Sequence, residues 1–325
     1  MKNKNRILII DAYNLFIKSY IADPSICLDG SPCGGAKGFL KSLQKVCKEI
    51  KPSEIIVVWD GAGGSKKKKK LNSDYKEGRA PIRLNRSIHN LSEEEEKINK
   101  TNQFIRLSEY LNSMPIVQFV FDNIEADDVI ASLCMNKNFK NNIKVILSSD
   151  KDFIQLCDKE TILYRTVQKE VLNEKRIVEL FGIHPTNFAL ARAICGDKSD
   201  NLSGVSGIGL KTIAKRFSFL KEGKTYSLDE IFNFCEKKAK EDSTKAYIDV
   251  LSNKDRIKLN YQLMQLYSPS ISPQISKSIQ NTLEYFKYNF NQTYVVMNMV
   301  RDGFTDYNWD FLFQTFRSIT SSKQH

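Results

Sequence analysis

The chain has no run of 18 apolar residues, which leaves no candidate for a membrane-spanning helix. Histidine is scarce (His89, His184, His325), and the seven cysteines (Cys27, Cys33, Cys47, Cys134, Cys157, Cys195, Cys235) are odd in number, scattered and free of any Cys-x-x-Cys spacing. Neither a zinc site nor a disulfide framework is expected, and the thiols read as reduced and mostly buried. A metal bound here has to be held by oxygen, which favours magnesium, manganese or calcium. Met1–Arg6 is basic like a secretory leader, but Asp11 stops the apolar run Ile7–Ile10 too soon, so the expected location is the cytoplasm.

With 325 residues, 41% of them hydrophobic and 27% charged, the chain reads as soluble and globular, with one large domain or two ordinary ones. The net charge is +11, and much of it is local: Lys66–Arg86 carries nine basic residues against Asp74 and Glu77. Such a patch suggests a polyanionic partner.

Arg6–Ile10, Glu54–Trp59, Ile116–Phe121 and Ile143–Leu147 read as buried strands, with Thr161–Tyr164 and Glu170–Leu172 as shorter ones. Between them, Phe39, Leu43, Val46 and Ile50 fall on one face of a helix over 34–50 that Pro52 stops. Ser92 followed by four glutamates opens another, whose expected apolar face is Ile98, Ile105, Leu107 and Leu111. Residues 125–135 read as a third. Strand and helix thus alternate over roughly residues 1–170, the pattern of a doubly wound, mainly parallel α/β sheet. Residues 61–90 are a long basic excursion without a core pattern. Past Asn173 the chain reads as helical, over 176–181, 188–195, 211–219, 228–240 and 259–267; further on, Tyr294–Val300 looks strand-like and Trp309–Phe316 is rich in aromatics.

Asp11, Asp60, the Glu125/Asp127/Asp128 cluster and the Asp150/Asp152 pair each follow a different expected strand. In an open parallel sheet those positions share one crevice. Two unit charges about 4 Å apart repel by roughly 4 kcal/mol at an effective dielectric near 20, so this many acids need cations. Taken singly, Glu125, Asp127, Asp128 and Asp150 read equally as helix caps; taken together, the acids read as a divalent-metal site. Asp197 and Asp200 stand three apart in a second dense stretch, which continues Gly204-Val-Ser206-Gly207-Ile-Gly209-Leu-Lys211-Thr212. No strand precedes it and its lysine falls one residue late for a nucleotide-binding P-loop. A glycine turn between helices suits a sugar-phosphate backbone. If the helical part packs on the crevice, Asp197 and Asp200 complete nine carboxylates, enough for two ions.

These stretches resemble the flap endonuclease and 5′ nuclease family, within it the free-standing phage replication type. Ile9-Ile-Asp11-Ala-Tyr-Asn14, Trp59-Asp60-Gly61, Glu125-Ala-Asp127-Asp128 and Ser149-Asp150-Lys-Asp152 look like its four aspartate motifs. Gly196-Asp197-Lys-Ser-Asp200-Asn201 with the glycine turn is similar to its helix-three-turn-helix, and Tyr75-Lys76-x-x-Arg79 to its arch motif. Order and spacing agree over about residues 6–220.

The resemblance implies a PIN-like nuclease domain over 1–172 with a helical arch at about 61–92 and a helix-three-turn-helix DNA-binding domain over 173–270; it does not reach the extension over 271–325, for which a cap or a docking site for replication proteins are the readings left open. It implies a 5′-3′ exonuclease or flap endonuclease that cuts DNA, or RNA on DNA, at 5′ ends, flaps and junctions and removes primers in lagging-strand replication. Two Mg2+ ions, with Mn2+ as a substitute, would sit near Asp11, Asp60, Glu125, Asp127 and Asp128 and near Asp150, Asp152, Asp197 and Asp200. Lys76 and Arg79 would neutralise the scissile phosphate, and Tyr75 would stack on a base. Lys66, Lys67, Lys68, Lys69 and Lys70, in place of the mixed basic sequence usual there, would draw in single strand. Gly204, Ser206, Gly207, Gly209, Lys211 and Thr212 would contact duplex phosphates with a bound K+. The implied protein is a monomer in the bacterial host cytoplasm, with a single-strand-binding protein or sliding clamp as partner and no membrane. The alternatives are a PIN-type ribonuclease, which explains neither the glycine turn nor the basic arch, and a non-catalytic factor that binds branched DNA.

Overall fold

The computed structural model describes residues 4–78, 83–84, 91–166, 168–242 and 244–323. Six strands form one sheet in the order β3-β2-β1-β4-β5-β6: β1 (Arg6–Asp11), β2 (Glu54–Trp59), β3 (Val117–Val120), β4 (Ile143–Leu147), β5 (Thr161–Arg165) and β6 (Glu170–Leu172). All six coincide with the segments expected to be strands. The first five run parallel and β6 returns antiparallel to β5. The register is tight at the centre, where Ile9 lies opposite Ile56 on one side and Ile146 on the other. These β-branched runs are buried on both faces, as parallel sheets require.

Among the described residues, five helices belong to this half: α1 (Ala12–Ala22), α2 (Gly34–Ile50), α3 (Lys66–Leu71), α4 (Glu93–Asn112) and α5 (Ala126–Cys134). Helix α2 buries Phe39, Leu43, Val46 and Ile50 and ends on Lys51 in the left-handed conformation, just before Pro52. Helix α4 opens with a full capping box between Ser92 and Glu95. Its buried face is the expected one only in its second half: Leu107 and Leu111 face inward, joined by Gln103 and Tyr110, while Ile98 and Ile105 are more than half exposed. Burial of Gln103 costs little, since its amide accepts from Gly35 N–H at 2.7 Å and donates to the Pro32 carbonyl at 2.7 Å. Helix α1 went unread because the strand–aspartate signal dominated the stretch, although Leu15, Phe16, Ser19 and Tyr20 bury one face.

The helical part holds α6 (Glu174–Phe181), α7 (Phe188–Cys195), two short strands β7 (Gly196–Asp197) and β8 (Leu202–Ser203), α8 (Leu210–Arg216), α9 (Leu228–Asp242), α10 (Lys245–Ser252) and α11 (Lys254–Met264). Helix α10 went unread in the sequence. Three further helices follow: α12 (Pro273–Tyr285), α13 (Gln292–Arg301) and α14 (Asp310–Lys323). Tyr294–Val300 is therefore helix and not strand. Its β-branched residues favour a strand locally, but Asn291 caps Tyr294 N–H and burial of Val295, Asn298 and Met299 at helical spacing decides otherwise.

The three last helices pack back on the half that holds the sheet. Helix α14 lies along α2, with Leu312, Phe313, Phe316 and Ile319 buried. Gln44 donates to the Asn308 carbonyl and accepts from Leu312 N–H, Lys37 pairs with Asp306 at 2.5 Å, and Lys323 pairs with Glu54 at 2.7 Å.

Candidate active site

The site lies beyond the C-terminal ends of the strands, where the sheet order reverses between β1 and β4. Asp11 ends β1 and also caps α1, accepting Asn14 N–H at 3.2 Å, while its other oxygen accepts the Ser148 hydroxyl at 2.8 Å. Asn14 in turn accepts Ser149 N–H and hydroxyl, which stitches β1 to the loop after β4. Asp60, just past β2, accepts Ala126 N–H at 2.9 Å and so supplies the cap that α5 lacks locally. Asp150 accepts Asp152 N–H at 2.8 Å, which folds the loop after β4 inward.

The helical half supplies the opposite wall. Arg192, one turn before the end of α7, donates to Asp152 at 3.1 Å and to Asp197, whose other oxygen accepts Ser199 N–H at 2.8 Å. Asp152, Asp197 and Asp200 can bring one oxygen each within 4.8 Å of one another. The loop that carries them is held from below by Asn260, buried at 2% exposure, which donates to the Ala193 and Ser203 carbonyls at 3.0 Å.

The acids act on one another as a connected set. Burial, with Asp60 and Asp150 nearby, pushes Asp11 up to about 7 against the pull of Ser148, and burial beside Asp150 does the same for Asp152. Asp127 and Asp150 are likewise raised, first by burial, then by Asp150 and Asp200 respectively. Asp197 stays below the ordinary range because Ser199 and Arg192 outweigh its burial. Glu125 is lowered too: burial pushes it up, but Lys68 and Lys76, each with its ammonium 2.6 Å from one Glu125 oxygen, more than compensate.

Eight of the nine expected carboxylates thus face one crevice. The ninth, Asp128, is buried too: one of its oxygens accepts Ser270 N–H at 2.7 Å, and it lies within electrostatic reach of the Lys68 ammonium. The basic excursion also departs from expectation. The lysine run forms α3, and residues 72–78 fold down over the acids, with Lys76 N–H on the Asp200 carbonyl at 2.9 Å. Tyr75 is 2% exposed, packed with Leu202, Leu263 and Met264, so its ring is not presented to a base in this conformation. Lys66, Lys69 and Lys70 point outward, Lys67 reaches Ser270 at 3.2 Å, and Lys68 turns inward. Arg79 lies outside the described residues. In the glycine turn, Ser206, Gly207, Gly209 and Lys211 are exposed, Gly204 and Thr212 partly so.

Sequence reasoning missed Arg192, Ser148 and Lys18. Arg192 had a signal, a lone cation in the apolar helix Phe188–Cys195 five residues before Asp197. Lys18, on α1, has its ammonium buried without a hydrogen-bond partner and within electrostatic reach of Asp11 and Asp150; no motif marks it.

A buried set of oxygen donors with so little matching positive charge is what divalent ions require, and it suits Mg2+ or Mn2+ better than any nitrogen- or sulfur-binding metal. A site of this kind at the reversal point of a mainly parallel, PIN-type α/β sheet defines a class of metal-using hydrolases.

Comparison narrows the class. Residues 6–182 match the model of the 5′-3′ exonuclease N-terminal, resolvase-like domain. A 5′-3′ exonuclease of Buchnera aphidicola subsp. Schizaphis graminum is 30% identical over 272 residues, spanning 81% of this chain and 86% of that protein. That of Aquifex aeolicus is 29% identical over 265 residues, spanning 81% and 82%. The flap endonuclease Xni of Shewanella halifaxensis is 28% identical over 262 residues, spanning 81% and 93%. In fold, the chain is similar to the phage T5 flap endonuclease crystallised as a pseudo-enzyme-product complex with DNA and metal ions, at a TM-score of 0.66 and 18% identity over 86% of this chain and 98% of that one. The chain belongs to the 5′-3′ exonuclease family and is a nuclease of the exonuclease and flap endonuclease kind.

Proposed function

We propose that the protein is a divalent-metal-dependent, structure-specific 5′ nuclease that cuts DNA, or RNA on DNA, at 5′ ends and flaps and removes primers during lagging-strand replication. The observation that carries this reading is the convergence of Asp11, Asp60, Glu125, Asp127, Asp150, Asp152, Asp197 and Asp200, drawn from both halves of the chain, on one crevice beside a basic segment. Asp11, Asp60, Glu125 and Asp127 are assigned to one Mg2+, and Asp150, Asp152, Asp197 and Asp200 to the other; Asp128 supports the wall from behind. When bound, the ions supply an activated water and neutralise charge on the phosphate under attack.

The chain's own residues do the rest. Lys76 and Arg79 bind the phosphate oxygens once segment 66–78 lifts, and Tyr75, released with it, takes the base beside the cut. Lys66, Lys69 and Lys70 guide the single strand by charge. The exposed turn at Gly204–Thr212, with a K+ ion, takes the duplex backbone. Every carboxylate comes from one chain, so a monomer suffices. No helix among the described residues is long and apolar enough to cross a membrane, and we place the protein in the cytoplasm of a bacterial cell or host.

A labelled 5′-flap substrate tests the proposal. Cleavage in Mg2+ and none in EDTA is expected, and Asp127→Ala or Asp150→Ala should abolish cleavage while retaining junction binding in Ca2+. Full activity in both variants overturns the assignment.

A further inference from the structure

Of the five consecutive lysines, Lys68 alone turns into the crevice, its side chain 17% exposed. Its ammonium lies 2.6 Å from Glu125 Oε2, while Lys76 takes Oε1 of the same carboxylate at 2.6 Å. Each oxygen of Glu125 is thus taken by one ammonium, through both charge and hydrogen bonding.

Both ammoniums also stand over the buried Tyr75 ring, 5.6 Å and 5.1 Å from its centre. Around this core the segment is pinned at its ends. Lys67 reaches Ser270, Lys76 N–H bonds the Asp200 carbonyl, and Asn201 donates to the Asp74 carbonyl at 2.9 Å. Lys76 itself sits at φ 57, a left-handed backbone that residues other than glycine adopt uncommonly. The closed segment is therefore strained at one point and anchored by charge at another.

We propose that Lys68 is a positioning residue that competes with a divalent ion for Glu125 and ties closure of segment 66–78 to the metal state of the site; this rests on the two-ion reading above. A cation at Oε2 and the Lys68 ammonium cannot share that oxygen without close like-charge contact. Metal binding at Glu125 displaces Lys68 and loosens the lid over Tyr75. Lys68 then becomes a free ammonium at the mouth of the crevice, where a phosphate of the entering strand meets it.

The test uses the full-length protein without DNA. Mn2+ affinity is measured from the resonance of free Mn2+ for wild type, Lys68→Met, Lys68→Arg and Lys67→Met, with trypsin cleavage within 66–78 as a second readout. Lys68→Met is expected to bind Mn2+ roughly fivefold tighter or more, in the range typical of coupled sites, and to be cut faster without metal. Lys68→Arg and Lys67→Met should bind Mn2+ like wild type, and Mn2+ should accelerate cleavage of the wild-type segment. Unchanged or weaker Mn2+ binding by Lys68→Met, with wild type binding normally, overturns the role of Lys68 alone. Absence of Mn2+ binding by wild type overturns the two-ion reading and this role with it.

Discussion

The carboxylate of Asp128 accepts the backbone N–H of Ser270 at 2.7 Å, across 142 residues of sequence. A carboxylate committed to backbone in this way is a brace for the wall of the crevice. Asp128→Ala should cost about 1–3 kcal/mol of stability, as loss of a buried hydrogen bond to a charged acceptor does, and leave Mn2+ affinity within a few-fold of wild type. Asp127→Ala, by contrast, should abolish metal-dependent cleavage. Calorimetry and Mn2+ titration of the two variants separate the roles.

Arg192 is the internal counter-charge of the second wall, bridging Asp152 and Asp197. Its replacement by methionine leaves Asp152, Asp197 and Asp200 together without that cation. In EDTA the variant should lose about 3 kcal/mol or more, the usual cost of stranding one partner of a buried ion pair. Saturating Mg2+ should restore much of the loss, which thermal melts with and without metal will show.

The pH dependence follows from Asp11 and Asp152, both raised to about 7 by burial. A carboxyl that holds its proton more tightly when folded makes the metal-free protein less stable as pH rises from its unfolded value, about 4, through its folded one. Melting temperature in EDTA should therefore fall between about pH 5 and pH 7. Metal binds the deprotonated acids, so Mg2+ affinity should rise over about pH 6 to pH 8 and then level off. A flat affinity across that range removes these two residues from the ligand set.

Two glycines separate folding from binding in the turn after α7. Gly196 has φ +73, and a Cβ there would stand 2.3 Å from Gly204 N, so Gly196→Ala should disrupt the loop that carries Asp197 and Asp200. Gly209 has open space around it and no left-handed backbone. Gly209→Ala should leave the melting temperature nearly unchanged, and if this turn grips duplex phosphates it should weaken duplex binding severalfold with no change in Mn2+ affinity.

Deleting residues 271–325 should destabilise the whole nuclease half. Tyr110 donates its hydroxyl to Asp302 at 2.7 Å from within the core, and α14 covers α2. A truncated chain that melts like the full one shows that these helices are dispensable packing.

The strands and the aspartates at their ends were readable because both signals are local: a β-branched run covered on two faces, then an acid where the run stops. The same locality explains the misreadings. Tyr294–Val300 has strand propensity, yet Asn291's cap and the burial of Val295 and Met299 make it helix. Ile98 and Ile105 look like a core stripe, but the neighbours that decide which face of α4 is buried lie in other elements. The diversion of Asp128 to Ser270, the capping of α5 by Asp60 and the pairing of Lys68 with Glu125 are long-range choices among chemically similar groups. A sequence states which groups are available for such pairings, and only the packed chain selects among them.

The anchoring of α5 and α3 to Ser270 bears on how the enzyme is made. Ribosomal synthesis delivers Asp11 first, Asp197 and Asp200 much later, and the segment that braces Asp128 and Lys67 later still. A nascent chain carries several acids of the crevice long before it carries their opposite wall. The set of acids that defines the crevice is therefore complete only once both halves of the chain have been made.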